Sequence, residues 1–272
     1  MGWRVVACAS IALALAADAA ERGADGRFDV RRSAHFVLHQ DVDIDVRTGP
    51  RGARRFERDV LEVLESGHAR LDALLGLRPP RRIDVLVYDP GVFDAYFAGR
   101  FPFPAAGFYQ GVIRVRGNVA LSASLAATLH HELVHAALDA AAPSLLLPAW
   151  LNEGLAEWFE ARALGVRGLS AGQVAALRDA AARGALAPLA SLETPSFAAL
   201  PADMAGLAYL QSRALLEEVE RRGGRSAVRV LVSHVLRSGD VDRALARAAG
   251  LDRNGLETSL ARTLGVVPAG WR

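Results

Sequence analysis

The chain has 272 residues, 51% of them apolar, and its 32 basic side chains nearly balance 30 acidic ones. Every basic residue is Arg, because the sequence contains no Lys, so the high isoelectric point reflects guanidinium groups more than an excess of positive charge. This length supports a sizeable core, and the interspersed charges argue against a nucleic-acid partner. The Arg-rich, Lys-free composition is typical of a GC-rich bacterial genome.

The start of the chain, residues 1–20, is predicted to be a secretory signal peptide. Arg4 supplies a short positive region, Val5–Ala17 carries no charge, and Ala17-Asp18-Ala19 fits a cleavage site. The apolar stretch is shorter than the roughly 20 residues that a membrane span needs, although an uncleaved anchor is the alternative. We therefore expect a mature chain, residues 21–272, in the periplasm or outside the cell, with no stable membrane span.

The cysteine content limits which catalytic groups and metal ligands the chain can use. Cys8 is the single cysteine and lies inside the predicted signal peptide. The mature chain would then contain no thiol, which excludes disulfides, thiolate nucleophiles and cysteine-ligated metals. Stability has to come from the core and from any bound ion.

The first part of the mature chain, residues 21–120, is predicted to be an α/β part with a small mixed sheet. The patterns predict strands at 35–39, 83–88 and 112–116, a helix at 56–75 and a loop at 100–111. The last of these strands alternates apolar and charged side chains, as a half-exposed strand does. Such a strand could pair with an extended peptide, or be an ordinary edge strand.

The second part, residues 121–272, is predicted to be helical. The expected helices cover 122–140, 148–164, 170–184, 203–222, 225–237, 240–249 and 254–264. Pro148 suits the first turn of its helix, and glycines separate several of the others. The chain is therefore predicted to have an α+β fold whose helical half carries the candidate metal site.

The segment His131-Glu132-Leu133-Val134-His135 matches the pattern H-E-x-x-H. Two His four residues apart project from one helix face, so both can reach a single metal ion. Glu132 would lie beside that metal, where it can take a proton from water. The alternative is a pair of surface His on an ordinary helix, but the apolar residues around the motif indicate a partly buried helix.

A third protein ligand is expected, because catalytic zinc usually has three protein ligands and an open water position. The metzincin pattern would require Gly and His where this chain has Leu138 and Ala141, so that arrangement fails. Glu153, which follows His135 by 18 residues on the next predicted helix, is the better candidate.

Glu157 lies one helical turn after Glu153, on the same face of that helix. If Glu153 binds the metal, Glu157 can accept a hydrogen bond from the far nitrogen of a ligand His. The alternative is a solvated acidic face that Glu160 would continue. The apolar residues of this helix make it unsuited to lie free in solvent.

The zinc pattern and the segment Pro148–Glu157, which reads P-x-W-x-x-E-G-x-A-E, resemble the gluzincin metallopeptidases. The resemblance is closest to the small bacterial peptidase MA-like families. It covers roughly residues 105–265, and its specific part is 130–158. It implies that His131, His135 and Glu153 bind Zn2+ and that Glu132 is the general base.

The function implied is a secreted or periplasmic zinc peptidase that acts on peptides or proteins. An oxyanion donor is also needed, and Tyr209 is the first candidate, with His234 and Tyr109 as weaker ones. A core role for Tyr209 is the alternative. The alternative function is a non-catalytic zinc-containing binding or scaffold protein, against which the intact Glu132 argues. His130, which precedes the motif, is expected to have a surface or supporting role.

Overall fold

The computed structural model describes residues 28–42, 44, 52–97, 99–100 and 105–266, so the predicted signal peptide lies outside the described part. Five strands lie in one sheet. They are β1 Asp29–Arg32, β2 Phe36–Gln40, β3 Ile83–Tyr88, β4 Gly107–Tyr109 and β5 Ile113–Arg116.

Nine α-helices accompany the sheet within the described ranges. They are α1 Gly52–Leu75, α2 Pro90–Phe97, α3 Ala123–Ala141, α4 Ala149–Ala163, α5 Ala171–Ala182, α6 Ala202–Gly223, α7 Ala227–Ser238, α8 Val241–Ala249 and α9 Arg253–Leu264, with a 3-10 turn at Leu189–Leu192. None of these helices is both long and apolar enough to cross a bilayer.

The sheet is mixed, with the order β1-β2-β3-β5-β4. The central strands β2, β3 and β5 are parallel, and β1 and β4 are antiparallel to their neighbours. Both faces are covered, because residues of β3 alternate between two cores. Val85 and Val87 enter the main core with the helices, whereas Leu86 and Tyr88 pack with Phe93 of α2.

Helices α3 and α4 form the centre of the helical half. Helix α3 packs against β4, β5, α1 and α4, and α4 packs against α6. Ser122 caps the start of α3 by accepting a hydrogen bond from the backbone N–H of Leu125. The main core contains residues from both the sheet and the helices, so the two parts of the chain share one interior.

Gly154 allows the contact between α4 and α6 to be close. A Cβ atom at this position would lie 2.6 Å from Leu216 Cδ2 and 2.8 Å from the carbonyl oxygen of Ser212. Any larger residue would have to separate the two helices, because the second of these contacts is with backbone. The glycine therefore places α6 directly over the helix that carries Glu153.

The prediction of an α+β fold with a helical second half is confirmed. Two local predictions are wrong. The predicted loop at 100–111 contains β4, and β4 pairs with β5, so the strand predicted at 112–116 is interior. That strand therefore has no free edge for a peptide, since β3 and β4 occupy both of its sides.

Glu218 of α6 is a buried carboxylate that ties α6 to α9. It accepts hydrogen bonds from the Arg221 guanidinium and from the hydroxyls of Ser259 and Thr263. Burial raises the pKa of this carboxyl, but the three donors outweigh burial and hold its pKa below the usual value. The charged form of Glu218 therefore stabilises the folded chain.

We predict that Glu218→Gln lowers the free energy of unfolding by about 2 kcal/mol at neutral pH, because three donors lose a charged acceptor. A carboxyl with a depressed folded-state pKa contributes its full stability above the unfolded value, about 4.3. The difference between variant and wild type should then shrink as the pH falls below that value. Urea unfolding at several pH values measures this difference, with the exposed substitution Glu62→Gln as the control. An equal difference at pH 3 and pH 7 would contradict the prediction.

Candidate metal centre

His131 and His135 lie one turn apart on α3 and point toward α4. Their ring centroids are 5.0 Å apart, and only 14% and 13% of their side-chain surfaces are exposed. Helical spacing alone brings the two rings together. Packing of α3 on α4 then buries both of them beside Glu153.

Glu153 brings a carboxylate oxygen to both imidazoles. Its Oε2 lies 3.3 Å from Nε2 of His131 and 3.4 Å from Nε2 of His135. Ligands about 2.0–2.1 Å from a tetrahedral zinc ion are about 3.3–3.4 Å from one another. Both distances match this value, the three ligand atoms all lie within 4.8 Å of one another, and the donor set suits zinc.

The far nitrogens of both imidazoles also face acceptors. Nδ1 of His135 lies 3.2 Å from the side-chain oxygen of Asn152. A proton on Nδ1 would be donated to that oxygen, which would leave Nε2 to present its lone pair to a metal ion. Nδ1 of His131 lies 3.5 Å from Glu160 and 3.9 Å from Glu157. Such contacts orient metal-binding imidazoles and increase their basicity.

The surrounding carboxylates favour a cation at this position. Burial would lower the pKa of His131, but hydrogen bonds to Glu153 and Glu160, together with the charge of Glu132, raise it well above the usual value. Burial likewise opposes the charge on Glu153, and the two imidazoles nevertheless hold its pKa far below the usual range. A proton and a metal ion therefore compete for the same ligand atoms, because the negative charge favours either cation.

Glu132 is buried beside the candidate ligands, on the side of α3 that faces β4. Burial raises the pKa of its carboxyl, and a backbone hydrogen bond from Tyr109 opposes that rise. The edge strand comes this close because Gly107 has no side chain: a Cβ there would lie 2.7 Å from Thr128 of α3. Strand β4, which the sequence patterns predicted to be a loop, thus donates a backbone hydrogen bond to the candidate general base, Glu132.

Tyr209 of α6 lies near the candidate ligands and lines the same cleft. Its ring centroid is 6.2 Å from that of His131. Burial and the nearby carboxylates, with Glu153 the largest contributor among them, raise the pKa of its hydroxyl, which therefore stays protonated and able to donate. Tyr109 lines the same cleft, but its hydroxyl donates to Asp139 at 2.7 Å, and His234 is not among the described residues that line the cleft.

The predicted residues border a cleft of about 600 Å³. His131, Glu132, His135, Glu153 and Tyr209 all line it, whereas Glu157 lies behind His131. The remaining described walls are largely apolar and include Leu138, Pro143, Leu145, Leu146, Leu147, Pro195 and Leu236. A substrate can therefore approach the candidate metal site from one open side.

His130 points away from this cleft. It is 4% exposed and lines a second cavity of about 1280 Å³ on the other side of α3. Burial, assisted by Arg70, lowers the pKa of His130 to about 4, so the ring is neutral. The expectation of a surface position was wrong, because α1 covers this face of α3 at Gly67.

Asn152 and Glu160 were missed by sequence reasoning as supporting residues. Asn152 immediately precedes Glu153, so its position gave a usable signal. Glu160 lies seven residues after Glu153, which places it near the same helix face, but the sequence pattern favours Glu157 as the partner of a ligand His. The angle between α3 and α4 decides which carboxylate comes nearer to His131.

The family model of the Peptidase MA superfamily matches residues 65–265, which include every residue of the candidate centre. Curated proteins include no match to the chain. The match includes strands β3, β4 and β5 and nearly all of the helical part.

One similar solved structure is a two-domain M1 zinc metallopeptidase mutant bound to L-tryptophan. The two chains are 15% identical and superpose with a TM-score of 0.43. The similarity covers 90% of this chain and 53% of the other, so this chain spans about half the length of that protein. This degree of similarity carries no argument about activity.

We predict that the chain binds one zinc ion and that Glu160→Gln lowers the zinc affinity about tenfold, because the nearer acceptor of His131 Nδ1 loses its negative charge. Glu157→Gln should have the smaller effect, since its carboxylate is farther from that nitrogen. Competition with a chromogenic chelator measures both affinities. The reverse order would give the supporting role to Glu157, as the sequence pattern suggested.

Proposed function

The chain belongs to the Peptidase MA superfamily, and we propose that it is a zinc-dependent peptidase secreted to the periplasm or the cell exterior. The observation that carries the proposal is the convergence of ligand atoms from His131, His135 and Glu153, at distances that suit zinc, at the wall of an open cleft. A site with solvent access on one side is typical of catalytic zinc, because structural sites are closed by a fourth protein ligand.

The bound zinc would lower the pKa of a water molecule and polarise the scissile carbonyl group. Glu132 would accept the proton of the attacking water and deliver it to the leaving amine. Its position next to His131 on α3 supports this role, as does burial that raises its pKa, because a base must also be able to return the proton. The hydrogen bond from the Tyr109 backbone restricts the position of the Glu132 carboxylate.

Tyr209 would stabilise the negative charge that develops on the carbonyl oxygen. Its hydroxyl is protonated, its ring lies near His131, and it approaches the cleft from α6. A donor held by a helix needs little reorganisation during the reaction. Glu157 and Glu160 would support His131 without touching the substrate.

The substrate would be a peptide or protein, because the cleft is open and has room for several side chains. The predicted signal peptide supports action outside the cytoplasm. We propose that residues 21–272 form one peptidase domain, and the shared core of the sheet and helices supports this.

Glu132→Gln is expected to lower kcat about 10³-fold, because the amide cannot accept the proton. Zinc content and the thermal unfolding midpoint should match those of wild type. Hydrolysis of a degenerate peptide library by the purified proteins tests this, with Glu62→Gln on α1 as the control. Undiminished hydrolysis by Glu132→Gln would overturn the mechanism. Stoichiometric zinc without any hydrolysis by wild type would favour a binding or scaffold protein.

Tyr209→Phe is expected to lower kcat about 10²-fold with little change in KM, because the lost hydrogen bond is made mainly in the transition state. Steady-state kinetics on the best library peptide separate the two constants. The phenyl ring keeps the contact with Phe197, so unfolding should be unaffected. A rise in KM at constant kcat would instead assign Tyr209 to substrate binding.

A further inference from the structure

Asp139 of α3 lies one turn beyond His135 and lines the same cleft. It is exposed, and its Oδ2 accepts a hydrogen bond of 2.7 Å from the Tyr109 hydroxyl. The candidate centre does not use Asp139, so its charge has no role in the proposed chemistry.

Asp139 has no cationic partner among the described residues, although the chain is rich in Arg. Its described hydrogen bond comes from a neutral hydroxyl. Arg100 is the sole guanidinium among the described residues of the cleft, and it is engaged by Gln110 and by the ring of Phe108, 4.7 Å away. The cleft therefore presents a carboxylate that a bound cation can neutralise.

We propose that Asp139 is a specificity-determining residue that binds the charged group of a Lys or Arg side chain in the peptide substrate. This inference rests on the proposed peptidase function. The cleft that Asp139 lines also has apolar walls, which include Leu138, Leu146 and Leu147 and suit the aliphatic stem of such a side chain. A long apolar stem that ends in a cation matches a cleft that has both apolar walls and a carboxylate.

Asp139 follows His135 by one helical turn, about 5.4 Å along α3. The α-amino nitrogen of a residue is about 2.5 Å from its own carbonyl carbon, and a hydrogen bond adds about 2.9 Å. An amino terminus next to the scissile bond can therefore also reach Asp139. The apolar walls of the cleft favour a Lys or Arg side chain, because an amino terminus has no aliphatic stem to bury.

Tyr109 would position Asp139 in this recognition. The hydroxyl holds one carboxylate oxygen, and the backbone of the same residue contacts Glu132. Recognition of the cation and placement of the base therefore involve one short strand, β4. Tyr109→Phe should weaken the preference for basic peptides less than removal of the Asp139 charge does.

Equilibrium binding to the Glu132→Gln protein tests the proposal without hydrolysis. The zinc-loaded protein is titrated against fluorescent peptides that carry Lys, Arg, norleucine or Glu at one position. That position is moved along the peptide from one series to the next. At one position, Lys and Arg peptides should bind about fivefold more tightly than the norleucine peptide, as expected for one partly exposed ion pair. Asp139→Asn should abolish this preference, and Asp139→Arg should transfer it to Glu.

Asp179→Asn, which removes an exposed carboxylate on α5, is the matched control and should keep the preference. A preference that survives Asp139→Asn, or no peptide binding at all, would overturn the proposal. If the preference follows a free amino terminus and vanishes on acetylation, the side-chain assignment is wrong. Peptide binding with the expected preference but no hydrolysis by wild type would refute the peptidase function alone.

Discussion

The contact of the Glu153 carboxylate with two imidazoles is the interaction on which the rest of the site depends. One oxygen lies within 3.4 Å of both His131 and His135, and all three groups are largely withdrawn from water. Buried carboxylates are costly unless a cation or hydrogen-bond donors compensate for the lost hydration. The site therefore needs protons on the imidazoles or a metal ion between the three side chains, and its surroundings favour either one.

Rigid packing is the condition for this convergence. The close approach of α4 and α6 at Gly154 places Tyr209 over the ligands, and the close approach of β4 to α3 at Gly107 places the Tyr109 backbone against Glu132. Opposite faces of α3 have different roles, because His130 is enclosed under α1 while His131 faces the cleft. The core that joins sheet and helices keeps these elements at constant distances.

Strand β4 connects the proposed chemistry with the proposed recognition. It is an edge strand of three residues, and its last residue contacts Glu132 through the backbone and Asp139 through the side chain. Both acidic residues lie on α3, seven residues apart, so they project near one face of the helix. A single short strand can therefore restrain two carboxylates with different functions.

The sequence by itself determined most helices, the α+β class and the candidate ligands, because helical periodicity and the H-E-x-x-H spacing are local properties. It also indicated the family, through Glu153 and its neighbours. Only the tertiary structure showed that β4 exists, that Glu160 lies nearer to His131 than Glu157 does, and that Asp139 has no cationic partner among the described residues. These features depend on how elements far apart in the chain pack against one another, and no local pattern records a packing angle.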